Sequence, residues 1–293
     1  MPFARTCCAT VLLVFVAAGC SINEQKEIEM GRQSHGQFEQ QFGGKYPDSQ
    51  LQAYVSQVGM TVAKPAGRPN LDWQFAVLNG KEVNAFAVPG GYIYITQGLL
   101  FRLENEAMLA GVLGHESAHI AHRHSVQQIG RAQTTQGLST AVGVVGGLFG
   151  FGWAGDITSV VGSLSLMSYG RGQEKEADIS GLKYMVDVGY DPNGMVQTMT
   201  VLQEASGKGG GATEFLSTHP NPGNRLEYLK AEIKKKYAAA SGSGKVGADE
   251  FTRNVLARRI GALPPLPENA ATWCAHCREE AEAANRVADA RNN

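Results

Sequence analysis

A cluster of four histidines and one glutamate near the middle of the chain constrains the fold more than any other feature. It lies in the stretch GHESAHIAHRHS, which runs from Gly114 to Ser125. His115 and His119 are four residues apart, so on an α-helix their rings share one face and lie about 6 Å apart along the axis. Whatever fold the chain adopts must contain a helix that directs this pair at one point.

The residues before the pair predict that helix. Asn105 is a suitable N-cap, and Glu106 favours the positive end of the helix dipole. Apolar residues then recur at helical spacing, at Met108, Leu109, Val112 and Leu113. Glu116 can reach past a metal ion to a water molecule, as in the H-E-x-x-H motif of zinc proteases. The stretch therefore predicts two metal ligands and a general base on one helix.

A catalytic zinc ion takes three protein ligands and keeps a fourth position open, so a third ligand must come from elsewhere. One variant of the motif has a histidine six residues after the second ligand, but Ser125 stands there. His122 is disfavoured as a ligand because a rigid helix would hold its ring too far along the axis from His119. We interpret His122 and His124 as a solvated helix end whose cations suit the C-terminal dipole.

A second predicted helix offers the missing ligand. Residues Gln173 to Val188 carry apolar residues at helical spacing, and Gly189 is a stop signal. Glu174 and Asp178 share one face of it, so Glu174 could ligate a metal while Asp178 accepts a hydrogen bond from a ligand histidine. A solvated acidic turn beside Lys175 is the plainer interpretation, and composition alone favours it.

The motifs in their order resemble a known family. HESAH is followed by EKEAD and then by STHPNPGNRL, while NAFAVPGGYIYITQGLL precedes HESAH. This order is similar to that of the zinc metalloproteases that include the CAAX prenyl endopeptidase, the heat-shock membrane protease and the periplasmic β-barrel assembly-enhancing protease. The resemblance covers roughly residues 24 to 237. It implies one zinc ion per chain, held by His115, His119 and Glu174, with Asp178 supporting a ligand.

The resemblance also implies the fold class. We expect an α+β fold, a mainly helical zincin-type metalloprotease domain with a small three- to four-stranded sheet beside the H-E-x-x-H helix. The local sequence agrees, because Glu24 to Ala63 has a helical pattern. Three short strands are predicted at residues 73–78, 82–88 and 92–96, with turn residues between them.

Proteases of this kind bind a substrate as an added strand at an exposed sheet edge. Asn84, Ala85 and Phe86 are the candidates for that edge. An ordinary half-buried strand is the alternative for each of them.

The segment STHPNPGN is predicted to be a loop that its prolines stiffen. A helix is predicted to follow it, from about Asn224 to Tyr237. The family pattern implies that His219 lies near the metal and that Arg225 fixes the loop to a carboxylate. His219 could donate a hydrogen bond to the oxyanion of the tetrahedral intermediate. It could instead occupy the open metal position in the resting enzyme, and this is our prediction. A loop histidine without a role is the third alternative.

The N-terminus has the pattern of a targeting segment. Arg5 precedes a short apolar run at residues 11–18, and AAGC ends at Cys20. This resembles a bacterial lipobox, so residues 1–19 are predicted to be a lipoprotein signal peptide with lipidation at Cys20. Ser21 stands where an aspartate would favour the inner membrane, so we expect the periplasmic face of the outer membrane. Cleavage to a soluble secreted protein is the alternative.

Residues 137–168 are rich in glycine and carry one charge, at Asp156. A single membrane crossing there is excluded, because it would place Glu174 on the opposite side from His115. A re-entrant hairpin and a membrane-resting lid stay open, and we favour a flap over the cleft.

The C-terminal segment, residues 238–293, is interpreted as a flexible linker, AAASGSGKVG, and a helical tail that docks on the catalytic domain or binds a partner. We expect the metallopeptidase domain itself to span residues 20–237. Cys274 and Cys277 are unassigned, since a local disulfide and half of a structural zinc site both fit them.

These features predict a metalloendopeptidase that cleaves misfolded or stalled outer-membrane proteins in the bacterial periplasm, with the outer-membrane assembly machinery as a further partner. The formal net charge of -1 gives no reason to expect nucleic acid. A chaperone or scaffold of outer-membrane assembly is the alternative from another class. A structural zinc module is disfavoured, because it would need a fourth protein ligand and no glutamate beside the first histidine.

Overall fold

The computed structural model describes residues 22–138, 168–205, 217–220 and 224–261, and the backbone alone for 132–138 and 204–205. The predicted signal peptide with Cys20, nearly all of the glycine-rich segment and the Cys274–Cys277 pair lie outside these residues.

The helices of the described residues account for most of the fold. They are α1 (Glu24–Gln41), α2 (Ser49–Ala63), α3 (Gln97–Leu100), α4 (Glu106–Ala121), α5 (His124–Leu138), α6 (Arg171–Asp187), α7 (Asn193–Ala205), α8 (Arg225–Lys236) and α9 (Ala248–Asn254). The strands are β1 (Gln74–Leu78), β2 (Ala85–Val88) and β3 (Tyr92–Thr96). This confirms the predicted fold class, a mainly helical α+β fold with a small sheet.

The stretch from Glu24 to Ala63, for which a helical pattern is predicted, forms two helices, α1 and α2. Gly43 and Gly44 both have positive φ, 79° and 76°, which ends α1 and turns the chain. Asp48 then starts α2 by accepting hydrogen bonds from the backbone N–H groups of Gln50 and Leu51, each at 2.9 Å.

The sheet has the order β1-β3-β2. β1 and β3 are parallel, with Gln74 opposite Tyr92, and β2 and β3 are antiparallel, with Ala85 opposite Ile95. β2 is therefore an edge strand of the sheet. Both faces are covered, because all residues of β2 and β3 are buried.

Helix α4 lies at the centre of the molecule. Every residue from Glu106 to Ile120 is buried, and the helix packs against α2, α6 and α7. It begins as predicted, with the Asn105 side chain accepting a hydrogen bond from Met108 N at 2.9 Å. The H-E-x-x-H residues therefore lie in the interior and not on an amphipathic surface helix.

Residues 238–247 do not form the predicted flexible linker. Lys245 N donates to Gly189 O at 2.8 Å, and Asp191 N donates to Lys245 O at 3.0 Å. The Lys245 ammonium group also forms an ion pair with the buried carboxylate of Glu106, at the start of α4. The prediction of flexibility is wrong here because backbone hydrogen bonds, which composition does not reveal, attach the segment to the domain.

The following residues dock on the same core. α9 places Phe251 at 0% exposure, and Val255 just beyond it is equally buried. As far as residue 261, the tail therefore packs on the domain, which agrees with the first of its two predicted roles. The domain boundary after Tyr237 stays a prediction.

Within the described ranges, 22–138, 168–205, 217–220 and 224–261, no helix combines the length and the apolar character needed to cross a membrane.

Candidate metal centre

Three segments that are distant in sequence meet at one buried point. α4 contributes His115 and His119, α6 contributes Glu174, and residues 217–220 contribute His219. One ligand atom from each of these four side chains lies within 4.8 Å of the others. All four are buried, so the site is shielded from bulk water.

Two glycines allow α4 and α6 to come close enough for this meeting. A Cβ atom on Gly181 of α6 would lie 2.7 Å from the backbone of Gly114 and from His115 N. A Cβ on Gly114 would lie 2.9 Å from Gly181 O. Real Cβ atoms essentially never approach so closely. The two helix backbones therefore touch directly beside the first histidine of the motif.

The nitrogen and oxygen atoms of the cluster converge. His119 Nε2 lies 3.0 Å from His115 Nε2, and His219 Nδ1 lies 3.0 Å from Glu174 Oε1. Glu174 Oε1 is also 3.4 Å from His119 Nε2. Imidazole nitrogens and a carboxylate oxygen facing one point are the donor set that zinc sites use. The residues present therefore fit a metal ion.

Glu116 adds a second observation of the same kind. Its side chain is fully buried, yet neither carboxylate oxygen has a hydrogen-bond partner. His219 Nε2 lies 3.7 Å from Oε1, too far for a good hydrogen bond. A buried carboxylate without partners is costly and is characteristic of functional sites.

Burial and neighbouring groups shift the pKa values of the cluster in opposite directions. Burial raises the pKa of Glu116, and the nearby His219 offsets this only in part. Burial alone would also raise the pKa of Glu174, but His219 and His119 lower it well below its ordinary value. Burial lowers the pKa of His119 well below its ordinary value. Two glutamates in one site are thus prepared for different tasks, a proton acceptor and a permanent anion.

The residues predicted to support the ligands lie next to them. His115 Nδ1 is 2.9 Å from Asp178 Oδ1. The Arg225 guanidinium donates to both oxygens of Asp178, at 2.6 and 2.5 Å, and its Nη1 lies 3.3 Å from Glu174 Oε2. Tyr228 also donates to Asp178. Asp178 therefore connects His115 of the cluster to Arg225 at the N-terminus of α8.

The interpretation of His122 and His124 as a solvated helix end is wrong for His124. α4 ends at Ala121, and Arg123 has a left-handed backbone, with φ of 57°, which turns the chain. His124 then starts α5 and is fully buried, with its Nδ1 2.9 Å from His119 Nδ1. His122 lies outside the cluster and contacts Ser180 Oγ at 2.8 Å. A turn through a non-glycine residue leaves no signal that sequence patterns can detect.

Sequence reasoning also missed Tyr169. Its ring stacks on His119, with centroids 3.9 Å apart and planes inclined by 23°. Its hydroxyl lies 2.8 Å from Ser125 Oγ, and Ser125 Oγ donates to Ala87 O of β2 at 3.3 Å. Tyr169 belongs to no motif that we could recognise, so no sequence signal identified it.

The predicted edge strand, β2, runs beside the cluster, but the three residues predicted to bind substrate do not all line the same groove. A small groove is lined by Phe86, Ala87 and Val88 on the β2 side and by Tyr169, Thr218 and His219 among others. Asn84 and Ala85 are fully buried outside this lining, and the Asn84 side chain accepts a hydrogen bond from Ala85 N at 2.9 Å. Substrate binding by the predicted three residues stays a prediction.

Comparison with known proteins agrees with the geometry. The model of Peptidase family M48 matches residues 49–233. The chain is 30% identical over 189 residues to mitochondrial metalloendopeptidase OMA1 of Schizosaccharomyces pombe, covering 62% of this chain and 55% of that protein. It is 28% identical over 256 residues to the beta-barrel assembly-enhancing protease of Yersinia pestis, covering 80% and 52%, and 28% identical over 221 residues to that of Escherichia coli K12, covering 72% and 44%.

The chain spans about half the length of the curated relatives it matches. The family match extends over most of the described residues and includes His115, His119, Glu174 and His219. It confirms the resemblance seen in the sequence and the predicted enzyme class, a metalloprotease. The chain belongs to peptidase family M48.

Proposed function

We propose that the chain is a zinc-dependent endopeptidase with one zinc ion, held by His115, His119 and Glu174. The observation that carries this proposal is the convergence of these three buried side chains beside Glu116, whose oxygens have no hydrogen-bond partner. Two histidines and a glutamate are the ligand set of several catalytic zinc sites, which keep a fourth position open.

The residues of the chain divide the chemistry of peptide hydrolysis among them. When bound, the zinc ion would supply a Lewis acid that polarises the scissile carbonyl and lowers the pKa of water, so that water can lose a proton and attack near neutral pH. Glu116 Oε accepts the proton of the attacking water and passes it to the leaving amine, a role worth typically 10² to 10⁴ in rate. The raised pKa of Glu116 suits the second transfer, since a more basic carboxylate holds the proton until the amine takes it.

Asp178 and Arg225 keep the ligands in place. Asp178 accepts the Nδ1–H of His115, which fixes the ring orientation and makes Nε2 the unprotonated nitrogen that would ligate. Arg225 neutralises Asp178 and lies against Glu174, so the loop that carries His219 is tied to both carboxylates.

The groove beside β2 suggests how a polypeptide reaches the site. Phe86, Ala87 and Val88 line one side of it, and Thr218 and His219 line another. An extended segment paired with the β2 edge would pass His219 and approach the metal ligands. Binding of this kind uses main-chain hydrogen bonds, so it accepts many sequences, as a quality-control protease requires.

The cellular setting is proposed from the sequence and the names of relatives. The apolar run and AAGC at residues 11–20 support a lipid anchor at Cys20 and the periplasmic face of the bacterial outer membrane. Relatives named beta-barrel assembly-enhancing protease support misfolded or stalled outer-membrane proteins as substrates and the assembly machinery as a partner.

A pair of variants tests the proposal. Glu116→Gln should bind one zinc ion per chain and cleave nothing, whereas Glu174→Ala should lose zinc affinity. Metal content is measured on the purified proteins, and cleaved protein termini are compared in cells that express the wild type or Glu116→Gln. Substrate cleavage by Glu116→Gln at the wild-type rate would refute the role of Glu116.

A chaperone or scaffold is the second candidate, because the groove beside β2 could hold an unfolded strand without cutting it. The same Glu116→Gln variant separates the two functions. A scaffold should still support outer-membrane assembly in cells that express only this variant, and a protease should not.

A further inference from the structure

We infer that His124 is a positioning residue for the metal ligand His119, whose Nδ1–H it accepts. The two Nδ1 atoms are 2.9 Å apart, and both side chains are fully buried. The inference rests on the proposed metal site. It goes further by giving a role to a histidine that lies outside the H-E-x-x-H motif.

The direction of the hydrogen bond follows from the geometry. His119 Nε2 faces the cluster, 3.0 Å from His115 Nε2 and 3.4 Å from Glu174 Oε1, so it is the nitrogen that would ligate. A ligating nitrogen carries no proton, which places the proton of the neutral ring on Nδ1. His124 Nδ1 must then be the acceptor, and its own proton lies on Nε2.

The second proton also has a partner. His124 Nε2 lies 3.2 Å from Glu176 Oε2 on α6. The result is a chain of donors from His119 through His124 to Glu176, in which every ring has one defined tautomer. Because Glu176 is half exposed, this chain ends at the surface of the protein.

The two ligand histidines therefore have different hydrogen-bond partners, a carboxylate for His115 and an imidazole for His119. His115 is paired with the buried carboxylate of Asp178, which Arg225 neutralises. A carboxylate in place of His124 would add a further buried anion without such a cation, and burying an unpaired charge is costly. A neutral imidazole fixes the tautomer of His119 without that penalty.

The turn at Arg123 is what makes this contact feasible. On a continuous helix, residues five apart are about 140° from each other around the axis, so His124 would point away from His119. The left-handed backbone of Arg123 ends α4 and returns the chain, and its side chain is held by Glu27 at 2.8 Å.

Three substitutions of His124 in the full-length protein separate its two hydrogen bonds. His124→Asn puts an amide oxygen near the position of Nδ1 and keeps an acceptor for His119. His124→Gln puts its amide near the position of Nε2 and keeps the contact with Glu176 alone. His124→Leu removes both hydrogen bonds at similar volume. His35→Gln, which alters a histidine on α1 outside the cluster, is the matched control.

The readout is the zinc dissociation constant, measured by competition with a chelator, together with the visible spectrum of the cobalt-substituted protein. Loss of the partner of a ligand histidine typically weakens metal binding 10- to 100-fold. We expect this loss in His124→Leu and His124→Gln, with a changed cobalt spectrum. His124→Asn and His35→Gln should resemble the wild type in both measurements.

Thermal unfolding of the metal-free proteins separates positioning from folding. If His124→Leu fails to fold, the comparison of His124→Gln with His124→Asn still decides, because each variant keeps one of the two hydrogen bonds of His124 and loses the other. Equal zinc affinity in wild type, Gln and Leu variants would overturn the inference, as would a His124→Asn variant as weak as His124→Gln. A wild-type protein that binds no zinc would instead overturn the proposed function.

Discussion

Replacing Gly181 by alanine perturbs the contact between α4 and α6 at one atom. The new Cβ would lie 2.7 Å from the carbonyl carbon of Gly114 and from His115 N, where ordinary contacts begin at 3.4 Å. These neighbours are helix backbone and cannot rotate away as a side chain can. The helices must therefore separate by roughly 0.7 Å, the difference between these two distances.

This separation acts on the metal centre because the contact is next to it. Glu174 of α6 must lie near His115 and His119 of α4 to share a metal with them. Overpacking typically costs 1–3 kcal/mol, and a misplacement of 1 Å in an active site can cost about 10²-fold in rate. We expect Gly181→Ala to lose about 1–3 kcal/mol of stability and on the order of tenfold to a hundredfold in kcat/KM.

The assay has two parts and an internal control. Urea unfolding of the metal-free protein gives the stability change, and cleavage of a peptide at saturating zinc gives kcat/KM. Gly172, on the same helix, is exposed, and an alanine methyl group there would have no atom within 4 Å of it. Gly172→Ala should keep wild-type activity and gain roughly 0.5–1 kcal/mol. Wild-type stability and kcat/KM in Gly181→Ala would refute the claim that this contact sets the geometry of the site.

Three further predictions concern other parts of the chain. His219→Ala should raise peptidase activity above wild type at equal zinc occupancy, because it removes the side chain that we predict to occupy the open metal position. His219 Nδ1 lies within the cluster, 3.3 Å from His115 Nε2. A fall of about 10²–10³ in kcat would instead identify an oxyanion donor. Phe251→Ala should cost about 3–5 kcal/mol in urea unfolding, since the ring is fully buried, and a negligible change would show that α9 is not part of the core. Cys20→Ser should move the protein from the membrane to the soluble periplasmic fraction, and continued membrane association would contradict a lipid anchor there.

Local patterns were sufficient to predict the two helices that carry the site. The N-cap at Asn105 marks the observed start of α4, since a side-chain cap acts within one turn of its own residue. The apolar spacing from Gln173 to Val188 corresponds to α6, Arg171–Asp187, within two residues at each end. Both signals depend on neighbours in sequence, which is why they can be recognised without the fold.

Features that depend on distant contacts could not be predicted in this way. Residues 238–247 have the composition of a flexible linker, yet the backbone of Lys245 pairs with Gly189 and Asp191. Main-chain hydrogen bonds can form with almost any residue type, so composition does not predict them. The burial of His124 likewise depends on one residue with a left-handed backbone, Arg123, and the sequence there contains no turn signal.

The charges of the centre favour a bound cation, as its donor atoms do. Glu174 and Asp178 are buried carboxylates whose pKa values lie below their ordinary values, and Arg225 is a buried cation that contacts both. Burying anions in excess of cations is strongly unfavourable unless a further positive charge compensates them. A divalent ion between the histidines and Glu174 would supply this charge at the point where the donor atoms converge. The balance of buried charges thus supports the proposed metal ion independently of the geometry of the ligands.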